Sequence, residues 1–280
     1  MNTGIKEKYF FLFLLILACS CKPQHSVFVI RSKEIPIKEK EAILIVTGFG
    51  TFKFGTGPQE KYFTENGKGY DIFIPKYIGR RSIKQCVSSL EEFITKNKIG
   101  EYKKVHVFSY IIGSWVLNEY IKAHPVNNFA SIVYDRSPLQ ERAPYVVIKD
   151  NVLFIKIATG HLIRDLAKTP YPPIDKKDIK VGIMIESKAT ALVRKHKKTE
   201  LSLGRINFEP DSLHQAYDDF TYTESDHDEM YKHFGYNGQE ILHFFKEGKF
   251  NSFAQRVPYT EDPFIKKVPM KRPKKIVDFR

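Results

Sequence analysis

An α/β fold, with a mostly parallel central sheet flanked by helices and a small cap segment, is what this 280-residue sequence predicts. Three observations carry that expectation. Short apolar runs end abruptly at glycine, proline or aspartate, as strands buried on both faces do. Amphipathic helical stretches lie between them, and strands alternating with helices imply βαβ units. Residues 103–121 (KKVHVFSYIIGSWVLNEYI) then run from an apolar strand through a tight turn at Gly113 into a helix carrying Trp115, Val116, Leu117, Tyr120 and Ile121.

Taken in order, residues 1–18 read as an export signal. Lys6 and Lys8 precede an apolar stretch from Tyr9 to Ala18, too short for the ~20 residues that span a bilayer but suited to a signal-peptide core. Ile16-Leu17-Ala18-Cys19 looks like a bacterial lipoprotein lipobox, which implies acylation at Cys19. Cys21, with Ser20 before it, is a less good acceptor. Only Cys19, Cys21 and Cys86 are present, so no disulfide framework is expected, and Cys86 reads as a small buried hydrophobe.

Residues 19–40 read as a polar tether leading to an edge strand at Val27–Ile30. Residues 41–256 form the α/β domain, which is long enough for a large core. Ala42–Val46 is a buried central strand feeding Thr47-Gly48-Phe49-Gly50, and Tyr70–Ile74 is another, closed by Pro75. Thr51–Gly69 shows no period and is expected to be a loop. Ser82–Lys96 is the clearest helix, with Ile83, Cys86, Val87, Leu90, Phe93 and Ile94 at helical spacing and Ser82 as N-cap. A strand at Ala130–Tyr134 follows, ending in Asp135-Arg136-Ser137-Pro138.

The cap covers about 137–178. Within it, Tyr145–Ile148 and Val152–Ile157 read as a hairpin around Asp150-Asn151, or as a strand plus part of the cap, and His161–Lys168 as a short helix. Tyr171, between Pro170 and Pro172, is either a pocket-rim residue or a packing one. Val181–Ile185 and Phe220–Thr223 are strands and Gly238–Lys249 is a terminal helix. Residues 257–280 form a proline- and lysine-rich tail lying loosely outside.

The formal charge of +13 is spread over the chain, with visible concentrations at Arg194-Lys195-His196-Lys197-Lys198 and from Lys266 to Lys275. Such a balance suits anionic lipid heads, lipopolysaccharide or nucleic acid. No nucleic-acid motif is present, so no nucleic-acid partner is expected, and solvated basic faces account for the charge. The only membrane attachment expected is the lipid at Cys19, which implies a membrane-attached lipoprotein of the bacterial cell envelope.

Three passages together resemble the α/β-hydrolase superfamily, in its esterase and lipase-like branch, from about Ala42 to Phe250. Residues 42–50 (AILIVTGFG) resemble the strand and H-G-[FG]-G turn that supplies an oxyanion-hole amide, with Thr47 in place of the histidine. Residues 70–79 (YDIFIPKYIG) resemble the next strand and its proline–glycine turn. Residues 109–113 (SYIIG) occupy the nucleophile elbow, G-x-S-x-G in the family. Ser109 then stands for the first glycine and Ile111 for the nucleophile.

That resemblance implies a site made of Ile111 at a degenerate nucleophile position, Gly48, Phe49 and Ile112 around the oxyanion loop, Asp211 as acid and His227 as base. Asp218 and Asp219 are further aspartates before the final strand. Isoleucine has no atom that attacks a carbonyl, so Ser109 and Ser114 are the alternative nucleophiles if the turn has shifted register. A metal reading draws on Asp211, His214, Asp218, Asp219, Asp226, His227 and Asp228, but H-E-x-x-H is absent and an acidic surface loop is the simpler account. No metal and no cofactor are expected. The function that follows is a catalytically degenerate, esterase-like lipoprotein that binds a hydrophobic or ester-bearing small molecule. The alternative is an active carboxylester hydrolase with a shifted serine and His227 as base.

Overall fold

The computed structural model describes residues 26–48, 56–135, 142–175, 178–204, 206, 209–212, 215–226, 229 and 234–265. Seven strands form one sheet: β1 (Val27–Val29), β2 (Glu41–Val46), β3 (Tyr70–Ile74), β4 (Lys104–Tyr110), β5 (Phe129–Asp135), β6 (Lys180–Glu186) and β7 (Asp219–Thr223). Their order across the sheet is β1-β3-β2-β4-β5-β6-β7. All neighbours are parallel except β1, which runs antiparallel to β3 with Val27 opposite Ile74.

The helices are α1 (Gly57–Asn66), α2 (Ile83–Lys96), α3 (Ile112–Ala123), α4 (Ala143–Lys149), α5 (Leu153–Thr159), α6 (Leu162–Lys168), α7 (Ala191–Lys195), α8 (Lys197–Ser202) and α9 (Phe234–Glu247). They cover both faces of the sheet. Ala42, Leu44 and Val46 of β2 and Val105 and Val107 of β4 pack toward α2, α3 and α6. Ile43 and Ile45 of β2 and Phe108 and Tyr110 of β4 point the other way, toward Phe63 of α1 and Ile241, Phe244 and Phe245 of α9. The central strands are thus buried on both faces, which is why they read as unbroken apolar runs. Each fully buried Ile, Leu or Phe contributes about 1.5–3 kcal/mol relative to exposure.

Several helices follow from local chemistry. The Ser82 hydroxyl accepts the Gln85 amide at 3.1 Å, capping α2 as its sequence predicts. Cys86 is buried on the inner face of the same helix.

Three expectations are corrected. Thr51–Gly69, read as loop, contains α1. Its fully buried residues are only Gln59 and Phe63, with Tyr62 packed half-buried beside them, too few apolar residues to set a period, and Gly57 and Gly67 sit at its ends. The hairpin expected at Tyr145–Ile148 and Val152–Ile157 is instead the helices α4 and α5. Val146 and Val147 turn inward together, which a strand would place on opposite faces, so tertiary packing overrides the β-branched composition. Asn151, with φ 52°, takes the left-handed turn between them. The tail is also less loose than expected near its start. The Pro263 carbonyl accepts the Ala189 amide at 2.8 Å and the Tyr259 amide reaches the Ser187 hydroxyl at 3.0 Å.

Tyr171 takes the packing role. It meets Trp115 edge-on, its phenol accepts from Asn118 at 2.9 Å, and Asn118 also donates to the Pro172 carbonyl. The Pro170–Pro173 segment is held in this way onto α3. No described helix is long and apolar enough to cross a membrane.

Candidate functional site

Strand order reverses between β2 and β4, and in open α/β sheets ligands bind beyond the carboxyl ends of the strands at such a switch point. Both chain ends that meet there are tightly built. β4 ends at Tyr110, and Ile111 then turns the chain into α3 with φ 54° and ψ −132°. A β-branched residue at positive φ is a genuine outlier, costing about 1–3 kcal/mol unless its surroundings impose it.

Those surroundings are visible. A Cβ on Gly113 would overlap the Val46 carbonyl oxygen and lie 3.1 Å from the Ser109 Oγ. A Cβ on Gly48 would sit 2.5 Å from the Ile111 Cβ. Two glycines thus allow β2, the turn and α3 to press together. The Ile111 side chain, half-buried, touches the apolar clusters on both faces of the sheet and closes the crevice with hydrocarbon. Beside it, the buried Tyr77 phenol donates to the Thr47 carbonyl, and burial holds the Tyr77 pKa well above its ordinary value.

Ser109 and Ser114 flank the turn. Ser109 is wholly enclosed in β4, between Val46 of β2 and Tyr134 of β5, and Ser114 is buried in the first turn of α3. Neither hydroxyl has a hydrogen-bond partner among the described residues. Gly48 and Ile112 lie at the turn, and Phe49 falls outside the described residues.

Asp211 is exposed, in a short 3-10 turn at Pro210–Ser212, where its carboxylate accepts the Tyr217 hydroxyl at 2.6 Å. Asp218 anchors the amino end of β6 through the Val181 amide at 2.8 Å, and Asp219 anchors the Phe250 amide at the same distance. His227, His214, Asp228 and Cys19 lie outside the described residues. Among the described residues, no three His, Cys, Asp or Glu side chains are grouped to hold a metal ion.

The carboxyl ends of the later strands carry charge of which sequence reasoning had drawn only on Asp226, in the metal reading. Asp135 closes β5 and Glu186 closes β6, both buried. After β6, Lys188 is only 3% exposed and reaches Glu229 at 2.5 Å and Asp226 at 3.8 Å. Asp226, itself 2% exposed and just past β7, also takes Arg194 at 2.9 Å. These contacts tie the loops after β6 and β7 together beside residue 227. One signal was available for two of them: Asp135 and Glu186 each follow an apolar run at a strand's carboxyl end.

A cavity of about 640 Å³ opens instead at the amino ends of β2 and β3, lined in part by Arg31, Lys40, Glu41, Lys68, Tyr70 and Lys246. It lies at the opposite end of the strands from the elbow.

No family model and no curated protein matches the chain in sequence. Solved structures do match its shape. A lipase from Bacillus licheniformis in mature form superposes with a TM-score of 0.51 at 12% identity, covering 81% of this chain and 99% of that one. An α/β-hydrolase-fold protein from Chitinophaga pinensis superposes with a TM-score of 0.50 at 11% identity, covering 80% of this chain and 98% of that one. The parallel central sheet flanked by helices matches these neighbours, and the fold of this chain is that of the α/β hydrolases.

Proposed function

We propose that this chain is a bacterial envelope lipoprotein, anchored by acylated Cys19, whose α/β-hydrolase fold acts by binding a hydrophobic or ester-bearing small molecule rather than by catalysis. One observation carries the reading. The residue held at the strained tip of the elbow is Ile111, and its hydrocarbon fills the place from which a nucleophile would attack. The stretch from Lys6 to Cys19 supports the anchor.

A second reading is an active carboxylester hydrolase that uses Ser109 or Ser114, with His227 as base and Asp211 as acid. The unpartnered hydroxyls of the two serines favour it, because a buried hydroxyl without a hydrogen bond is costly. Their complete burial weighs against it, since substrate reaches neither oxygen without a shift of the turn.

The deciding experiment treats the purified protein with short and medium p-nitrophenyl esters and a fluorophosphonate probe. Under the binding reading the native chain shows no turnover and no labelling, and Ile111→Ser gains labelling. Labelling of the native chain that disappears in Ser109→Ala or Ser114→Ala sinks that reading. For the anchor, metabolic labelling with a radioactive fatty acid marks the native chain and not Cys19→Ser. Equal labelling of both would move the acyl group elsewhere.

A further inference from the structure

We propose that α5 and its basic surround form a membrane-docking surface that seats on an anionic phospholipid bilayer. α5 turns its large apolar side chains outward: Leu153 is 64%, Phe154 77% and Ile157 60% exposed. The helix stays in place because Val152 and Ile155 pack inward on the core, so the exposed side chains form a fixed ridge. Three large apolar side chains on one helix face, with no partner among the described residues, mark an interaction surface rather than scattered exposure.

The charge around the ridge selects the partner. The Arg80 guanidinium donates to the Ile157 carbonyl, at the carboxyl end of α5. That position is fixed by the backbone, since the Leu162 amide donates to the Arg80 carbonyl at 3.2 Å and a Cβ on Gly160 would lie 2.7 Å from that oxygen. Lys156 rises from α5 itself, and Lys149, Arg164 and Lys168 stand exposed on the flanking helices α4 and α6. The nearby acids are occupied within the fold. Asp150 holds His196 and Thr199, and Asp165 accepts the Ile83 amide at 2.7 Å. An apolar ridge with cations around it matches an interface of acyl chains beneath anionic headgroups.

The chain's entry point agrees with this orientation. Ser26, the first described residue, accepts the Lys76 amide at 2.9 Å, and Val27 pairs with Ile74. Ser26 therefore sits at the carboxyl end of β3, from which residues 75–80 lead to Arg80 beside α5. A lipid at Cys19 and the α5 ridge would address one bilayer from one side. The surface does not depend on the state of residue 111.

The test places Phe154→Trp in the full chain carrying Cys19→Ser and Cys21→Ser, which accepts no lipid, with Phe253→Trp as its control. Phe253 is 85% exposed but lies near the amino end of β7, away from the cap. The native Trp115 is buried and supplies a constant background. With phosphatidylglycerol vesicles containing brominated acyl chains, the tryptophan at 154 shifts to the blue and is quenched, while the one at 253 is not. Lys149→Gln and Lys156→Gln each weaken vesicle affinity about fivefold, and high salt does likewise. The proposal fails if emission from position 154 is unchanged while the chain sediments with vesicles, or if position 253 is quenched equally. It also fails if phosphatidylcholine acts as well as phosphatidylglycerol. A blue shift that grows with protein concentration without lipid would assign the ridge to a second copy of the chain instead.

Discussion

The elbow after β4 and the loops after β6 and β7 lie at the same, carboxyl end of the sheet, yet they are held by opposite means. At the elbow the backbone is the fixed object: two glycines, one strained residue and a hydrocarbon plug. After β6 and β7 the side chains do the holding, through the buried contacts of Lys188 and Arg194 with Asp226 and Glu229. The contrast teaches that a tight strand-to-helix turn can be held by packing alone, whereas the charged groups after β6 and β7 are committed to one another.

The largest expected effect is at Gly113. Gly113→Ala drives a methyl group into the Val46 carbonyl, which is backbone and has no rotamer to escape into. Urea denaturation should show a loss of about 2–4 kcal/mol. A loss below about 0.5 kcal/mol would mean the elbow is not tightly held. Next is the ionic side of the comparison. Asp226→Asn leaves Lys188 and Arg194 short of a buried counter-charge and should cost about 3 kcal/mol. Lys188→Met together with Asp226→Leu should recover part of that loss, because two apolar groups leave less charge uncompensated.

A smaller and sharper effect separates strain from packing at residue 111. Ile111→Ala keeps the positive φ and loses hydrocarbon contact, whereas Ile111→Gly loses the same contact and relieves the strain. Ile111→Gly should therefore be the more stable of the two by about 1 kcal/mol. The reverse order in parallel melts would remove strain from the account.

The smallest effect lies away from the crevice, at His106. Its imidazole is buried against Phe245 and bonded to Ser131, and burial lowers its pKa from 6.5, although Glu41 opposes the shift. As pH falls below about 6.5 the unfolded chain takes up a proton there that the folded chain refuses, so stability declines with acid. His106→Asn should flatten that slope between pH 6.5 and 5 in denaturant titrations; an unchanged slope would show that other groups set it.

Much of the fold was legible because of how burial marks each strand. Ala42–Val46 and Val105–Phe108 are enclosed on both faces, so their sequences are almost continuous hydrocarbon, broken only where His106 finds Ser131 and Glu41. α2 could be read from its spacing and its Ser82 cap. α4 and α5 could not, since Val146, Val147, Ile148 and Ile155 favour strands locally and only the surface they pack against makes them helical. α1 was missed because Phe63 is its only fully buried apolar residue.

The candidate site divides in the same way. The turn at 109–113 announces itself by its glycine and the apolar runs on either side, so the strand-to-helix turn with Ile111 at its tip was legible in the sequence. The pairing of Lys188 with Asp226 and Glu229 could not be read, because it joins residues about 40 positions apart whose charges look like ordinary surface charge in the chain.

By itself, then, the sequence determined the α/β class, the positions of most strands along the chain and the isoleucine at the tip of the turn, because these depend on local runs and on single side chains. The tertiary structure decided the rest: the positive φ that Ile111 must adopt, the burial of Ser109 and Ser114, and the ion pairs beside the crevice. It also decided which apolar residues of the cap face outward. Each of these depends on what the neighbouring strand or helix leaves room for, and no residue carries that information alone.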